Sequence, residues 1–252
     1  MWYLKLAAFL IASFFFLCLI VLFRIITVGL QNAATDYVVA LITLAWGKTM
    51  LFILNISLTV RTIGEEKQNG NKLFVSNHQS YLDIIIAASI EPMMFVAKKE
   101  VKDWALLGWM ANLGGTIFID RNFFRGGISA ANELSRALRR KNSVQIFPEA
   151  TSTDGSHVLL FKPMLFTSAL ETRTTIQPMT IRYRSIDREE VSQKNRDVVC
   201  WYGTMEFIPH FIRLLKSTSI RAEAILHPNI STAIDDTPRS LAEKSFTAIT
   251  SV

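Results

Sequence analysis

The sequence predicts an α/β protein: a largely parallel central sheet flanked by helices, preceded by an N-terminal membrane-associated helical segment. Three observations predict it. Short β-rich runs alternate with helical stretches from about residue 57 onward, the pattern of strands and crossover helices sharing one sheet. Two long apolar stretches precede that alternation. Three of the candidate strands run straight into polar, chemically capable residues, and open α/β sheets hold their ligands beyond the carboxyl ends of the strands. The expected division is 1–56, membrane-anchoring helices, and 57–252, one globular domain.

Composition narrows the class. The 252 residues are 50% hydrophobic and 19% charged, against about 25% charged in an average soluble domain. With 11 Gly, 7 Pro and 2 Cys, disorder, collagen-like repeats and a disulfide scaffold are excluded. Charges fill the chain after residue 60, which argues against a polytopic membrane protein. The formal charge of +6 favours anionic partners such as lipid head groups or phosphorylated substrates. Nucleic acid fits poorly, since there is no basic tail, zinc-finger spacing or array of aromatics on basic strands. Cys18 lies within an apolar run, so a bridge to Cys200 is not expected and a reduced compartment fits.

The elements follow in order. Leu6 to Phe23 is an uncharged run of 18 residues closed by Arg24, long enough at 1.5 Å per residue to approach the ~30 Å hydrocarbon core. Trp2 and Tyr3 stand at its start, where amphipathic rings favour the interface. A cleaved signal peptide would have a shorter apolar region and a small-residue cleavage site. Tyr37 to Val60 is a second apolar stretch interrupted by Lys48; a re-entrant or interfacial helix pair accommodates that charge better than a span. Arg24, Lys48 and Arg61 follow or interrupt the apolar runs, which places the main domain on the cytosolic side. Expected strands are Leu58–Ile63, Leu73–Val75, Phe95–Ala97, Thr116–Ile119, Val144–Phe147, Thr175–Tyr183, Val198–Trp201 and Ile220–Leu226. Expected helices are Tyr81–Ser89, Trp104–Leu113, Gly127–Arg140, Leu165–Glu171, Phe207–Leu215 and Ser240–Ile249.

His78 and Asp83 carry the first chemistry. Five residues apart, they would diverge on a regular helix by about 140°. They meet if His78 lies in the strand-to-helix turn and Asp83 in the first helical turn, with Ser80 as N-cap. A carboxylate on Nδ1–H leaves Nε2 free as a base. That is the histidine–aspartate half of a hydrolase triad, with the nucleophile left to a substrate hydroxyl. Ser80-x-x-Asp83 also reads as a plain capping box.

Asn77-His78-Gln79-Ser80-Tyr81-Leu82-Asp83 resembles the H-x4-D motif of the glycerolipid acyltransferases of the bacterial 1-acylglycerol-3-phosphate acyltransferase type. Three further blocks follow in the family's order. Gly115–Arg121 resembles the second. Phe147-Pro148-Glu149-Ala150-Thr151-Ser152 resembles the third, where the family usually has glycine in place of Ala150. Ile176-Gln177-Pro178-Met179 resembles the fourth. The similarity covers about residues 40–230, and four ordered blocks are far more specific than one. Ser152–Gly155, Trp201–Met205 and Pro209-His210 further resemble the lyso-ornithine lipid acyltransferase branch.

The resemblance implies direct transfer of a fatty acyl group from acyl-CoA or acyl-carrier protein to a lysophospholipid hydroxyl, with no metal and no resident cofactor. It makes His78 the catalytic base and Asp83 its orienter. It assigns Arg121 to a phosphate, and Glu149 and Thr151 to the glycerol backbone or the shape of the site. Lys162 would add positive charge at the mouth, and Lys98 and Lys99 would meet anionic lipid. His210 looks structural. Backbone amides near the third block would stabilise the oxyanion. The expected acceptor is 1-acylglycerol-3-phosphate, giving phosphatidate in phospholipid biosynthesis at the bacterial inner membrane; the alternative acceptor is a lyso-ornithine lipid. A non-catalytic lipid-binding protein and a lipid hydrolase are the readings from other classes; for the latter a G-x-S-x-G elbow is missing. If the third-block position needs positive φ, Ala150 is strained.

Overall fold

A computed structural model describes residues 2–30, 32–64, 70–119 and 128–252. Two long helices come first, α1 (Trp2–Ile26) and α2 (Ala33–Leu54). Asn32 starts α2 through a reciprocal capping box with Thr35, which satisfies amides that the first turn leaves unpaired. Both helices are long and apolar enough to cross a membrane, by length and composition. The hairpin is stitched by the Trp46 indole N–H, which donates to Ser13 Oγ at 3.2 Å.

The strands are β1 (Ile56–Thr62), β2 (Lys72–Ser76), β3 (Met94–Lys98), β4 (Ile117–Ile119), β5 (Val144–Ile146), β6 (Thr175–Ile186), β7 (Glu189–Glu190) and β8 (Ile220–Leu226). Between and after them run α3 (Leu82–Ala88), α4 (Ala105–Leu113), α5 (Ile128–Arg139), α6 (Thr167–Thr172), α7 (Phe207–Lys216) and α8 (Pro238–Thr250). The sheet order is β1-β8-β6-β2-β5-β3-β4, with β7 added to β6. β6, β2, β5, β3 and β4 are mutually parallel. β8 joins β6 antiparallel and carries β1 parallel to itself. The sheet is thus mostly parallel, with helices on both faces.

Two apolar layers enclose it. One face packs Phe74, Met179 and Ile181 against α1, α2, α3 and α7. The other packs Leu73, Val75, Val144 and Ile146 against α5, α6 and α8. Side chains of β2 therefore alternate between the layers, as the two-residue period of a doubly covered strand requires.

The helix pair is built into the first layer. Lys5 Nζ donates to Ser217 O at 2.8 Å, at the end of α7, and Phe9 meets Phe211 edge-on at 5.0 Å. A Cβ on Gly47 of α2 would stand 2.9 Å from the backbone of Ala88 in α3, so only glycine permits that crossing. A single residue, Asn55, in the left-handed conformation, separates α2 from β1. The opposite side of α1, including Ile11, Phe14, Phe15, Leu22 and Ile25, is exposed and apolar, and Lys48 of α2 also faces out. An exposed apolar surface of this kind suits lipid contact.

One expected strand is absent. Val198 ends a short 3-10 turn, Arg196–Val198, and residues 199–201 run on without regular structure. Val199 and Cys200 are buried in the first layer, which accounts for their strand-like composition. Their amides serve other partners: Cys200 N–H donates to Arg196 O, and Trp201 N–H to Gln79 O, both at 2.8 Å.

Candidate active site

The carboxyl ends of β2, β5 and β3 converge on one cavity of about 390 Å³, within the range of small-ligand sites. β2 delivers the Asn77–Ser80 turn, which is clamped from several sides. Asn77 exchanges both amide groups with the Ile181 backbone, at 2.8 and 3.0 Å, and Gln79 Nε2 donates to Ile181 O at 2.8 Å. Gly155 packs so closely on Gln79 that a Cβ would stand 2.4 Å from its Oε1. The turn is therefore held to β6 and to the third-block loop before any substrate arrives.

On this base stands the expected pair. His78 Nδ1 lies 2.9 Å from Asp83 Oδ2. The same oxygen accepts the backbone N–H groups of Gln79, at 2.6 Å, and Ser80, at 2.8 Å. Asp83 is 0% exposed, so these donors replace water around its charge. The acceptor on Nδ1 fixes the tautomer with the proton there and leaves Nε2 as the ring's open base. Phe147 stacks on the imidazole at 4.2 Å between centroids, which sets the plane of the ring.

Both readings of Ser80-x-x-Asp83 meet in one carboxylate. Asp83 makes the backbone half of a capping box while holding His78. The Ser80 hydroxyl does not cap; it is buried without a hydrogen-bond partner among the described residues.

Sequence reasoning missed the remaining donor. Tyr183 of β6 gives its hydroxyl to Asp83 Oδ1 at 2.6 Å. Burial, with the Asp83 charge second, pushes its phenol well above the ordinary range, so it stays a donor. Its only sequence signal is a place on the block-four strand, five residues after Pro178. Tyr183→Phe should lower kcat about 10-fold, the worth of one hydrogen bond to a charged group, and leave the acceptor KM within about 2-fold. Steady-state kinetics over a range of acceptor concentrations checks this split.

The other expected residues divide. Thr151 lines the cavity, with Ala150 and Ser152. Glu149 does not: it is buried, and its two oxygens accept His78 N–H at 2.6 Å and Leu159 N–H at 2.7 Å. Of its two expected roles, holding the glycerol backbone or shaping the site, this geometry suits the second, because both oxygens are turned inward to backbone amides. Burial raises its carboxyl above the ordinary value, against the pull of those two amides. Lys162 is expected to add positive charge at the mouth. Its side chain is exposed and is not among those lining the cavity, while its backbone N–H binds Pro148 O. Lys98 lines the cavity and Lys99 does not. Arg121 lies outside the described residues. His210 is buried; Nδ1 meets the Tyr81 hydroxyl at 2.9 Å and Nε2 the Cys200 carbonyl at 3.0 Å, bracing Tyr81 in the cavity wall.

Ala150 has φ 60°. The family glycine is thus replaced by a residue that pays for a left-handed backbone. Ala150→Gly should stabilise the fold by about 0.5–1 kcal/mol, the net of strain relief and extra unfolded-chain entropy. A rise in thermal midpoint of roughly 1–4 °C would show it.

Fold, block order and the histidine–carboxylate pair define an acyltransferase architecture, and residues 57–182 match the family model Acyltransferase; the chain belongs to this family. Among its relatives, the lyso-ornithine lipid O-acyltransferase of Rhizobium meliloti (strain 1021) is 30% identical over 177 residues, 68% of this chain and 61% of that one. The 1-acyl-sn-glycerol-3-phosphate acyltransferase of Neisseria gonorrhoeae is 37% identical over 140 residues, 56% of this chain and 54% of that one. The matches therefore span less than two thirds of those relatives' lengths. The crystal structure of the 1-acyl-sn-glycerophosphate acyltransferase PlsC from Thermotoga maritima shares the fold, with a TM-score of 0.65 at 18% identity, covering 96% of this chain and 91% of that one.

Proposed function

We propose that this protein is a membrane-associated lysophospholipid O-acyltransferase that moves a fatty acyl group from a thioester to the free hydroxyl of 1-acylglycerol-3-phosphate, giving phosphatidate. The observation that carries the reading is the His78–Asp83 pair at 2.9 Å, with Asp83 buried and His78 in the cavity wall. His78 Nε2 takes the hydroxyl proton as the oxygen attacks the thioester carbonyl. The imidazolium, held by Asp83, then returns that proton to the departing thiolate as the C–S bond breaks. The products are an ester and a free thiol. No acyl-enzyme is required, and the acyl donor is a co-substrate rather than a resident cofactor.

The amides of Thr151 and Ser152 have no acceptor among the described residues and belong to the cavity wall. They suit the developing oxyanion. The apolar outer face of α1 supports a bilayer location, and Arg24, Lys48 and Arg61 favour an inner-membrane protein with its catalytic domain toward the cytosol.

A second acceptor has its own support. The alignment to the Rhizobium meliloti relative, named for lyso-ornithine lipid, extends over 68% of this chain. The deciding experiment gives the purified protein labelled acyl-CoA with lysophosphatidate and lyso-ornithine lipid in parallel reactions. Label in phosphatidate is the expected result; label only in ornithine lipid reassigns the acceptor. Free fatty acid without either product would make the protein a hydrolase.

A further inference from the structure

A second cavity, of about 520 Å³, lies behind the catalytic turn: Asn77 and Gln79 line it, whereas His78 lines the first. Arg182 and Arg184 of β6 and Arg196 also line it. Two of these guanidinium groups are already matched. Arg184 is paired with Glu223 and Arg196 with Asp154, the latter at 2.8 Å. Arg182 is not. Its cross-strand neighbour is Glu223, but that carboxylate is taken by Arg184 and, at 3.0 Å, by Arg61. Among the described residues, no carboxylate lies within ion-pair distance of Arg182. Burial and the nearby Arg184 charge both pull its guanidinium below the ordinary value, a strain that a seated anion would relieve.

The same two chain segments wall both cavities. Ala150–Ser152 and Trp201–Gly203 bound the first; Asp154–Val158 and Val191–Arg196 contribute to the second. The Asp154–Arg196 pair ties the segments together along that seam.

We propose that the second cavity holds the nucleotide end of the acyl donor, the phosphorylated adenosine that coenzyme A carries and a carrier protein's phosphopantetheine lacks. The pantetheine arm follows the seam and brings the thioester to His78. Guanidinium forks suit phosphate oxygens; Arg182 brings the uncompensated charge, and a cavity of this size has room for a base beside the phosphate rather than one small ion. This inference rests on the acyl-transfer reading and selects acyl-CoA as donor.

The test has a binding arm and a kinetic arm. Calorimetry with adenosine 3′,5′-bisphosphate should show binding that Arg182→Ala weakens about 10-fold or more, as expected for loss of a charged hydrogen-bond partner. Arg182→Lys should retain part of it, and an unchanged circular dichroism spectrum certifies both folds. In turnover, Arg182→Ala should raise the KM for acyl-CoA by a similar factor, with kcat and the lysolipid KM within about 2-fold. Unchanged nucleotide affinity in Arg182→Ala overturns the assignment. So does competition by inorganic phosphate at equal concentration, or a KM for acyl-carrier protein that rises in step with that for acyl-CoA. If the wild type shows no acyl transfer at all, the catalytic reading fails, while the calorimetric arm still decides this site.

Discussion

His78→Ala is expected to lower turnover by about 10²–10⁴-fold, the usual worth of a positioned general base. The ring is the only part of His78 removed. Its backbone N–H and C=O stay bonded to Glu149 and Thr153, so the turn should keep its path. Asp83 loses one donor and retains three, from Gln79, Ser80 and Tyr183. The variant should therefore fold, fractionate with membranes as the wild type does, and bind lysolipid. A radiolabel transfer assay beside a vesicle-flotation assay measures both properties. Turnover within about 3-fold of wild type would remove the general base from the mechanism.

Glu149→Ala should produce the largest loss of stability. Its carboxylate is the shared acceptor for two amides, at His78 and Leu159. Truncation leaves both without a partner in a buried setting. At about 1–3 kcal/mol for each orphaned group, the cost of two is roughly 2–6 kcal/mol. Glu149→Gln is the sharper variant. Its carboxamide offers one acceptor oxygen, so one N–H is satisfied and the other faces an NH2 group. Its loss should be about half that of alanine. Denaturant unfolding of the three proteins reads the series. Equal stability in all three would mean that solvent replaces the carboxylate. Activity should fall with stability, because the carboxylate fixes the residue that carries the base.

Much of this organisation was readable in the chain. The β-rich runs at Leu73–Val75 and Ile220–Leu226 became strands because apolar side chains serve both faces of a covered sheet. His78 and Asp83 were identifiable because their meeting depends on one local turn. Where a role depends on distant pairing, local pattern is silent. Tyr183 reaches Asp83 only because β6 lies beside β2 in a register that continues past the last paired residues, Ser76 and Met179. Glu149 illustrates another limit: residue type shows that an acceptor is present, and only coordinates show that its donors are backbone amides. Residues 198–201 have strand-like composition for burial alone, while their hydrogen bonds go to a turn and a loop.

The junction at Asn55 has a mechanical consequence. With one residue between α2 and the first strand, and Lys5 anchored to the end of α7, the hairpin cannot swing like a tethered float. A bilayer that takes up the outer face of α1 also dictates the height and tilt of the reaction chamber. In the proposed reaction, travel then falls to the lipid, whose hydroxyl must rise to a stationary imidazole. Lengthening that joint with a flexible insert should loosen this alignment without touching any reacting group.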